Sequence, residues 1–197
     1  MNLLSPRILG QLALDTVRAP RPTFARLRAL DLDRGTLWQA LLLVVVVSIL
    51  LAELANMFLL ATIAQDADPV LMLSPFAFGA MQLVVLIISV LLIDKVGRAF
   101  KGTGDLGDAI LAVTWLQFVM VCLQILQGIL LIVIPPLAGI VMILGLILFF
   151  WLLTNFVAEL HGFDSLGRVF GMILFVLMGV ALGLSFLLTL AGVSVAR

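Results

Sequence analysis

The stretch "ILAVTWLQFVMVCLQILQGILLIVIPPLAGIVMILGLILFFWLLTNFV", residues 110–157, decides how this chain folds. It is apolar almost throughout and is broken only by Pro135-Pro136. As one helix at about 1.5 Å per residue it would reach roughly 70 Å, more than twice a bilayer core of about 30 Å. Two prolines in succession remove two backbone donors, and each disfavours helix at the residue before it. The stretch therefore reads as two spans, Ile110–Ile134 and Leu137–Val157, joined by a tight turn at one membrane face.

Three further segments have the same character: Leu37–Ala61, Phe76–Ile93 and Val169–Val193. Of the 197 residues 64% are hydrophobic and only 11% charged, too apolar for a water-soluble fold, which needs a polar exterior. Short alternating segments, the mark of a β-barrel, are missing, and a span in lipid must satisfy its own backbone hydrogen bonds. The expected fold is all-α: a polytopic membrane protein with five transmembrane helices over residues 37–197, preceded by a short amphipathic cytoplasmic segment, residues 1–36. No secretory signal is expected, because the first apolar run is too long for one and lacks a cleavage-like end.

Net charge is zero, but its distribution is lopsided. Arg7, Arg18, Arg21, Arg26, Arg28 and Arg34 precede span one; Lys95, Arg98 and Lys101 follow span two; Arg168 follows span four. The link after span one carries Asp66 and Asp68 without a base, and Arg197 alone follows span five. Lysine and arginine near spans favour the cytoplasmic side. The N-terminus is thus expected in the cytoplasm and the C-terminus outside, in a bacterial inner membrane if the Arg-rich, Lys-poor usage reflects a GC-rich bacterial genome.

A phrase recurs on the expected cytoplasmic side. "FKGTGDLGDAI" (100–110) and "LHGFDSLGRVF" (160–170) align without a gap, pairing Lys101 with His161, Gly102 with Gly162, Asp105 with Ser165 and Leu106 with Leu166. Glycine is the usual residue just past a helix C-terminus, and Asp and Ser are strong N-caps. Each copy reads as a stop, a turn and a re-entry. The pair marks either an internal two-span repeat about an axis along the membrane normal or the same turn chemistry reached twice.

The segment "SPRILGQLALDTVRAPRPTFARLRALDLDRG" (5–35) offers helix starts at Ser5-Pro6 and Arg21-Pro22. Ile8, Leu9 and Leu12 form one apolar stripe; Phe24, Leu27 and Leu30 form another, beside Arg21, Arg26 and Arg28. Basic amphipathic helices lie in the membrane interface, and this reading is preferred to a cap packed on the bundle.

Inside the spans, Glu53 and Asn56 share a face of span one. An ionisable group at membrane depth is a functional candidate, although a hydrogen bond that pins helices is the commoner role. Gln117, Gln124 and Gln127 line one flank of span three, with Gln82 in span two and Asn155 in span four; such amides usually glue helices. Gly139, Gly145, Gly179 and Gly183 suit close helix approach. Cys122 is read as a packed thiol. Asp94, Asp105, Asp108, Glu159, His161 and Asp164 are read as solvated charges and caps rather than a cation site. HExxH, P-loop, nucleophile-elbow and zinc patterns are missing from the sequence. No enzyme activity and no cofactor are expected.

Three motifs together resemble the Yip1 family of small multispan membrane proteins. "RAPRPTFARL" (18–27) is similar to the family's Pro-x-x-x-Phe-x-x-Leu strip, on Pro20, Phe24 and Leu27. "FKGTGDLGDAI" matches its glycine hairpin after span two. "LHGFDSLGRVF" places His161, Ser165 and Arg168 where the family tends to carry His, Ser and a basic residue. The family's common proline in span three is replaced here by "AVTWLQF" (112–118). The resemblance implies five spans with the N-terminus inside. Eukaryotic members work in vesicle trafficking and bind prenylated GTPases, partly through a longer cytosolic region than residues 1–36 provide.

The expected function is that of a membrane scaffold or adaptor, contacting the lipid bilayer and another membrane protein or a second copy, with no nucleic acid. Its contact candidates are Pro20, Phe24, Arg26, Leu27, Gly102, His161, Gly162, Ser165 and Arg168. The alternative is a small transporter or channel that uses Glu53.

Overall fold

The computed structural model describes residues 5–62 and 74–190. They form seven helices: α1 (Pro6–Arg18), α2 (Pro20–Arg28), α3 (Arg34–Thr62), α4 (Pro75–Ala99), α5 (Leu106–Val133), α6 (Pro135–His161) and α7 (Leu166–Leu190). Helices α3 to α7 are each long and apolar enough to cross a membrane. The acidic link with Asp66 and Asp68, and the C-terminal Arg197, lie outside the described residues.

The helix ends are set by caps rather than by the limits of the apolar runs. α4 continues past Ile93 to Ala99 and carries Asp94, Lys95 and Arg98 on its last turns. α5 starts at Leu106 because Asp105 and Asp108 form a capping box there. The Pro-Pro pair is not a loop. Ile134 alone separates α5 from α6, and Pro135 takes the first position of α6, where a missing amide costs nothing. α2 likewise starts at Pro20, one residue before the expected Arg21-Pro22.

α5 is the centre of the bundle, packed on α3, α4 and α6; among the described residues α7 packs against α6 alone. The buried core is confined to one end. It takes Leu37 and Leu41 of α3, Val90 of α4, residues 109–116 of α5, and Leu152, Phe156 and Leu160 of α6. Toward the other end these helices and α7 expose their apolar side chains, Ile129, Met142 and Phe186 among them, as lipid-facing surface.

α1 and α2 close the cored end. Phe24 is fully buried and stacks on Phe156 at 4.8 Å between ring centroids, and Ala13 and Leu27 join the same core. The Trp115 indole N–H donates to Thr16 Oγ1 at 2.9 Å, which satisfies the polar edge of a buried ring. α1 and α2 therefore pack onto the bundle through Ala13, Phe24 and Leu27. The expected lipid-facing strip on Phe24 and Leu27 is corrected: it faces inward, and α2 is a packed cap. Arg21 and Arg28 allow this, because they reach over the core edge to Glu159 at the end of α6 and Asp108 at the start of α5.

Two of the expected amides, Gln82 and Gln124, hold helices together, whereas Asn155 donates to the Trp151 carbonyl within its own helix. Ser48 of α3 exchanges hydrogen bonds with Gln82 of α4, and Gln124 of α5 donates to the Ser48 carbonyl at 3.1 Å. Gly79 and Gly145 lie at tight crossings, where an added methyl would come within 2.5 Å of Ile49 and 2.6 Å of Leu123. Gly139, Gly179 and Gly183 have open space instead. Among the described residues the close approach expected at these three positions does not occur.

Candidate functional site

The two copies of the repeated phrase meet at the cored end, and His161 is the contact between them. Its side chain is 2% exposed and is clamped by three glycines of α4 and the α4–α5 turn. A methyl on Gly97 would lie 1.8 Å from its Nε2, and one on Gly102 2.5 Å from its Nδ1. At Gly104 a methyl would strike Leu160, 2.7 Å from its carbonyl oxygen. The Gly104 amide donates to Nδ1 at 3.3 Å, so Nε2 carries the proton and donates to the Ile93 carbonyl at 2.9 Å. A neutral imidazole meets both demands at once. The Thr103 amide also donates to the His161 carbonyl at 3.2 Å, latching one turn to the other through the backbone.

The gapless alignment conceals a shift of one residue. α6 ends with Gly162 in the left-handed region (φ 70°), and the Phe163 amide reaches back to the Ala158 carbonyl. α4 ends with the same bonding pattern, Gly102 to Gly97, but its left-handed residue is Lys101 (φ 67°). Gly102 lacks a positive φ. It is glycine because His161 leaves no room for a side chain. The N-caps return to register: Asp105 accepts from Asp108 N–H at 2.9 Å, and Ser165 accepts from Arg168 N–H at 3.4 Å.

Ion pairs tie the N-terminal cap to both turns. Arg28 grips Asp108 with two bonds at 2.8 and 2.7 Å, a bidentate geometry. Arg21 pairs with Glu159 at 3.0 Å and also donates to the Phe163 carbonyl. Arg34 reaches the exposed Asp105 at 3.4 Å. Asp94, 1% exposed, pairs with Arg98 one turn on and lies 3.8 Å from Lys95. The Asp108 amide, chiefly, and the Arg34 guanidinium hold the Asp105 carboxyl below its ordinary range. Thr36 does the same for Asp33 at the start of α3.

The expected contact residues separate into two groups. Pro20, Phe24, Leu27, Gly102 and His161 are not free surface: they position the cap and the turns. Arg26, Gly162 and Arg168 are exposed, and Ser165 is half-buried. Among the described residues Arg26 bonds only within α2, to Thr23 and the Pro22 carbonyl. Gly162, Ser165 and Arg168 line a polar cavity of about 210 Å³ with Phe100 and Asp164. In the spans, Gln124 is the helix-pinning amide described above. Gln117 lines an apolar groove between α4 and α7. Glu53 and Asn56 are half-buried near the far end, Glu53 about 28 Å along α3 from Arg34. Among the described residues no cluster of His, Cys, Asp and Glu could hold a metal.

Gly97, Gly104, Trp115, Thr16 and the Arg21 and Arg28 partnerships had no place in the sequence reading. The arginines were legible as a basic row; the acids opposite them, Glu159 and Asp108, were legible as turn charges. What was missing was the fold that brings residues 138 positions apart within bonding distance.

The Yip1 domain model matches residues 14–187, from the second half of α1 to the last turns of α7. The chain belongs to the Yip1 family. The match crosses residue 36 without a break, so the family's domain takes in the cap as well as the spans. No curated protein and no solved structure matches the chain. The three motifs that carried the resemblance occupy one place in this Yip1 fold: the cap strip, the α4–α5 turn and the α6–α7 turn all meet around His161 and Phe156.

Proposed function

We propose that this integral membrane protein of the Yip1 family is a non-enzymatic scaffold or adaptor in a bacterial inner membrane, with the cap in the cytoplasm. The supporting observation is the cap itself. Two arginine–carboxylate pairs and a buried aromatic stack fix α2, and the Trp115–Thr16 hydrogen bond fixes α1, across the mouth of the bundle. Such a platform has a rigid outer face, and rigid faces suit recognition because little entropy is lost on binding.

That outer face differs from the expected strip. Arg7, Gln11, Leu14, Val17 and Arg18 of α1 and Arg26 of α2 point away from the bundle, with Leu14 63% exposed. An apolar pair flanked by arginines fits the acidic surface of another membrane protein near the headgroups. Phe24 and Leu27 are unsuitable probes, since charging either would empty the core.

The test replaces Leu14 and Val17 together with Asp and identifies what remains bound after purification in mild detergent. The scaffold reading expects a specific membrane-protein partner of the wild type to be lost while the variant keeps its helicity and elution volume. An unchanged set of partners argues against the platform. A proton or solute flux in reconstituted vesicles that Glu53→Gln abolishes would replace the reading with a transporter.

A further inference from the structure

Among the described residues the α4 and α7 backbones do not approach closely, although Ile93 packs against the cluster that holds Val169 and Ile173, and the space between them is structured. An apolar groove of about 120 Å³ runs along it, floored by α5 and α6 and walled by Leu86, Ser89 and Ile93 on one side and Met172, Val176 and Leu177 on the other. From Leu86 to Gly97 it covers about 16 Å of α4, close to half of a bilayer core of about 30 Å. Its cap-side end adjoins the polar cavity of the α6–α7 turn; Met172 lines both. That cavity holds one cation, Arg168, and one anion, Asp164, beside the Ser165 hydroxyl. Among the described residues the ion pairs at this end take Arg21, Arg28, Arg34, Lys95 and Arg98, and neither Arg168 nor Asp164 enters one.

We infer that the α4–α7 cleft binds one aminophospholipid of the cap-side leaflet, with an acyl chain in the groove and the phosphoethanolamine headgroup in the polar cavity. Both halves of the ligand are specified. The groove is one leaflet deep and apolar along its walls, as a lipid chain requires. The cavity carries charges of both signs, which suits a zwitterion: Arg168 meets the phosphate with charge-assisted hydrogen bonds, and Asp164 accepts from the primary ammonium. A purely anionic headgroup would leave Asp164 opposed to it. A quaternary ammonium has no N–H to donate.

The test uses the purified full chain in mild detergent with dioleoyl phosphatidylethanolamine, phosphatidylglycerol or phosphatidylcholine, and free phosphoethanolamine as the headgroup control. Native mass spectrometry reads the adducts. One phosphatidylethanolamine per chain is expected, at concentrations about tenfold below those needed for the other two lipids, and no adduct with free phosphoethanolamine. Arg168→Glu weakens retention by roughly tenfold or more. Asp164→Asn keeps an adduct but loses the preference over phosphatidylglycerol. Val176→Trp fills the groove and removes the adduct; Ser89→Trp does the same from the opposite wall should the first variant fail to fold. Equal retention of the three lipids, indifference to both tryptophans, or a lipid-free dimer with a second copy seated in the cleft each overturns the assignment.

Discussion

The α4–α5 and α6–α7 turns share a phrase, a bonding pattern and an end of the bundle, yet they are built to different tolerances. The first is closed. Its glycines are pressed against His161 and Leu160, its left-handed position holds a lysine, and Arg28 and Arg34 grip its helix start. The second is open. Gly162 has only the Thr103 hydroxyl near its missing side chain, Gly167 has nothing within 4 Å, and a polar cavity occupies the space. The same letters thus serve packing in one copy and conformation in the other. Local similarity fixes how a helix ends; the neighbour that arrives from elsewhere decides what each glycine is for.

Glycine-to-alanine substitutions divide the two turns most sharply. Gly97→Ala drives a methyl into an imidazole held at both nitrogens, and is expected to cost about 3 kcal/mol through overpacking and a lost hydrogen bond. Gly167→Ala enters open space inside a helix, and is expected to gain about 0.5 kcal/mol. Thermal unfolding in detergent reads both, and equal effects would remove the distinction between a closed turn and an open one.

A smaller contrast lies in the left-handed residues. Lys101→Gly relieves a strained side chain and is expected to stabilise by about 0.5 kcal/mol; Gly162→Ala imposes the same strain and is expected to cost about 1 kcal/mol. The signs are opposite because the one-residue shift places glycine on the strained position in only one copy. If Gly102→Ala proved harmless while Lys101→Gly destabilised, the shift would be wrong.

The N-caps differ least at neutral pH, where Asp105→Ala and Ser165→Ala are each expected to cost about 1 kcal/mol. Acid separates them. The folded Asp105 carboxyl titrates below its ordinary value of 3.8, so its contribution is full above that value and fades as pH falls through the lower folded one. The cost of Asp105→Ala is therefore expected to shrink below about pH 4, while that of Ser165→Ala stays flat. Paired unfolding curves across that range check it; parallel pH profiles would mean that Asp105 gains nothing from the fold.

Much of this architecture was legible because lipid imposes simple demands. Long apolar runs, a double proline and four cap residues placed every described helix of the bundle to within a few positions. The role of Phe24 was not legible, since an amphipathic strip looks alike whether its apolar face meets lipid or protein. Phe156, its stacking partner, lay in a span where any residue would have satisfied the hydropathy pattern. Gly97 was hidden for the same reason: its meaning belongs to His161, beyond the next span. The open cleft was also invisible, because α7 is as apolar as its neighbours and only packing shows that its backbone stands off from α4.

The cap's fastenings have a consequence for how the chain is made. Arg21 leaves the ribosome 138 positions ahead of its partner Glu159. Until the fourth hydrophobic segment has entered the bilayer, Arg21 is without its acid and Phe24 without the ring it stacks on. The outer platform is therefore completed late in biosynthesis, when the sixth helix arrives, and a nascent chain stalled before that point would display its greasy N-terminal stripe to whatever chaperone or membrane surface stood nearest.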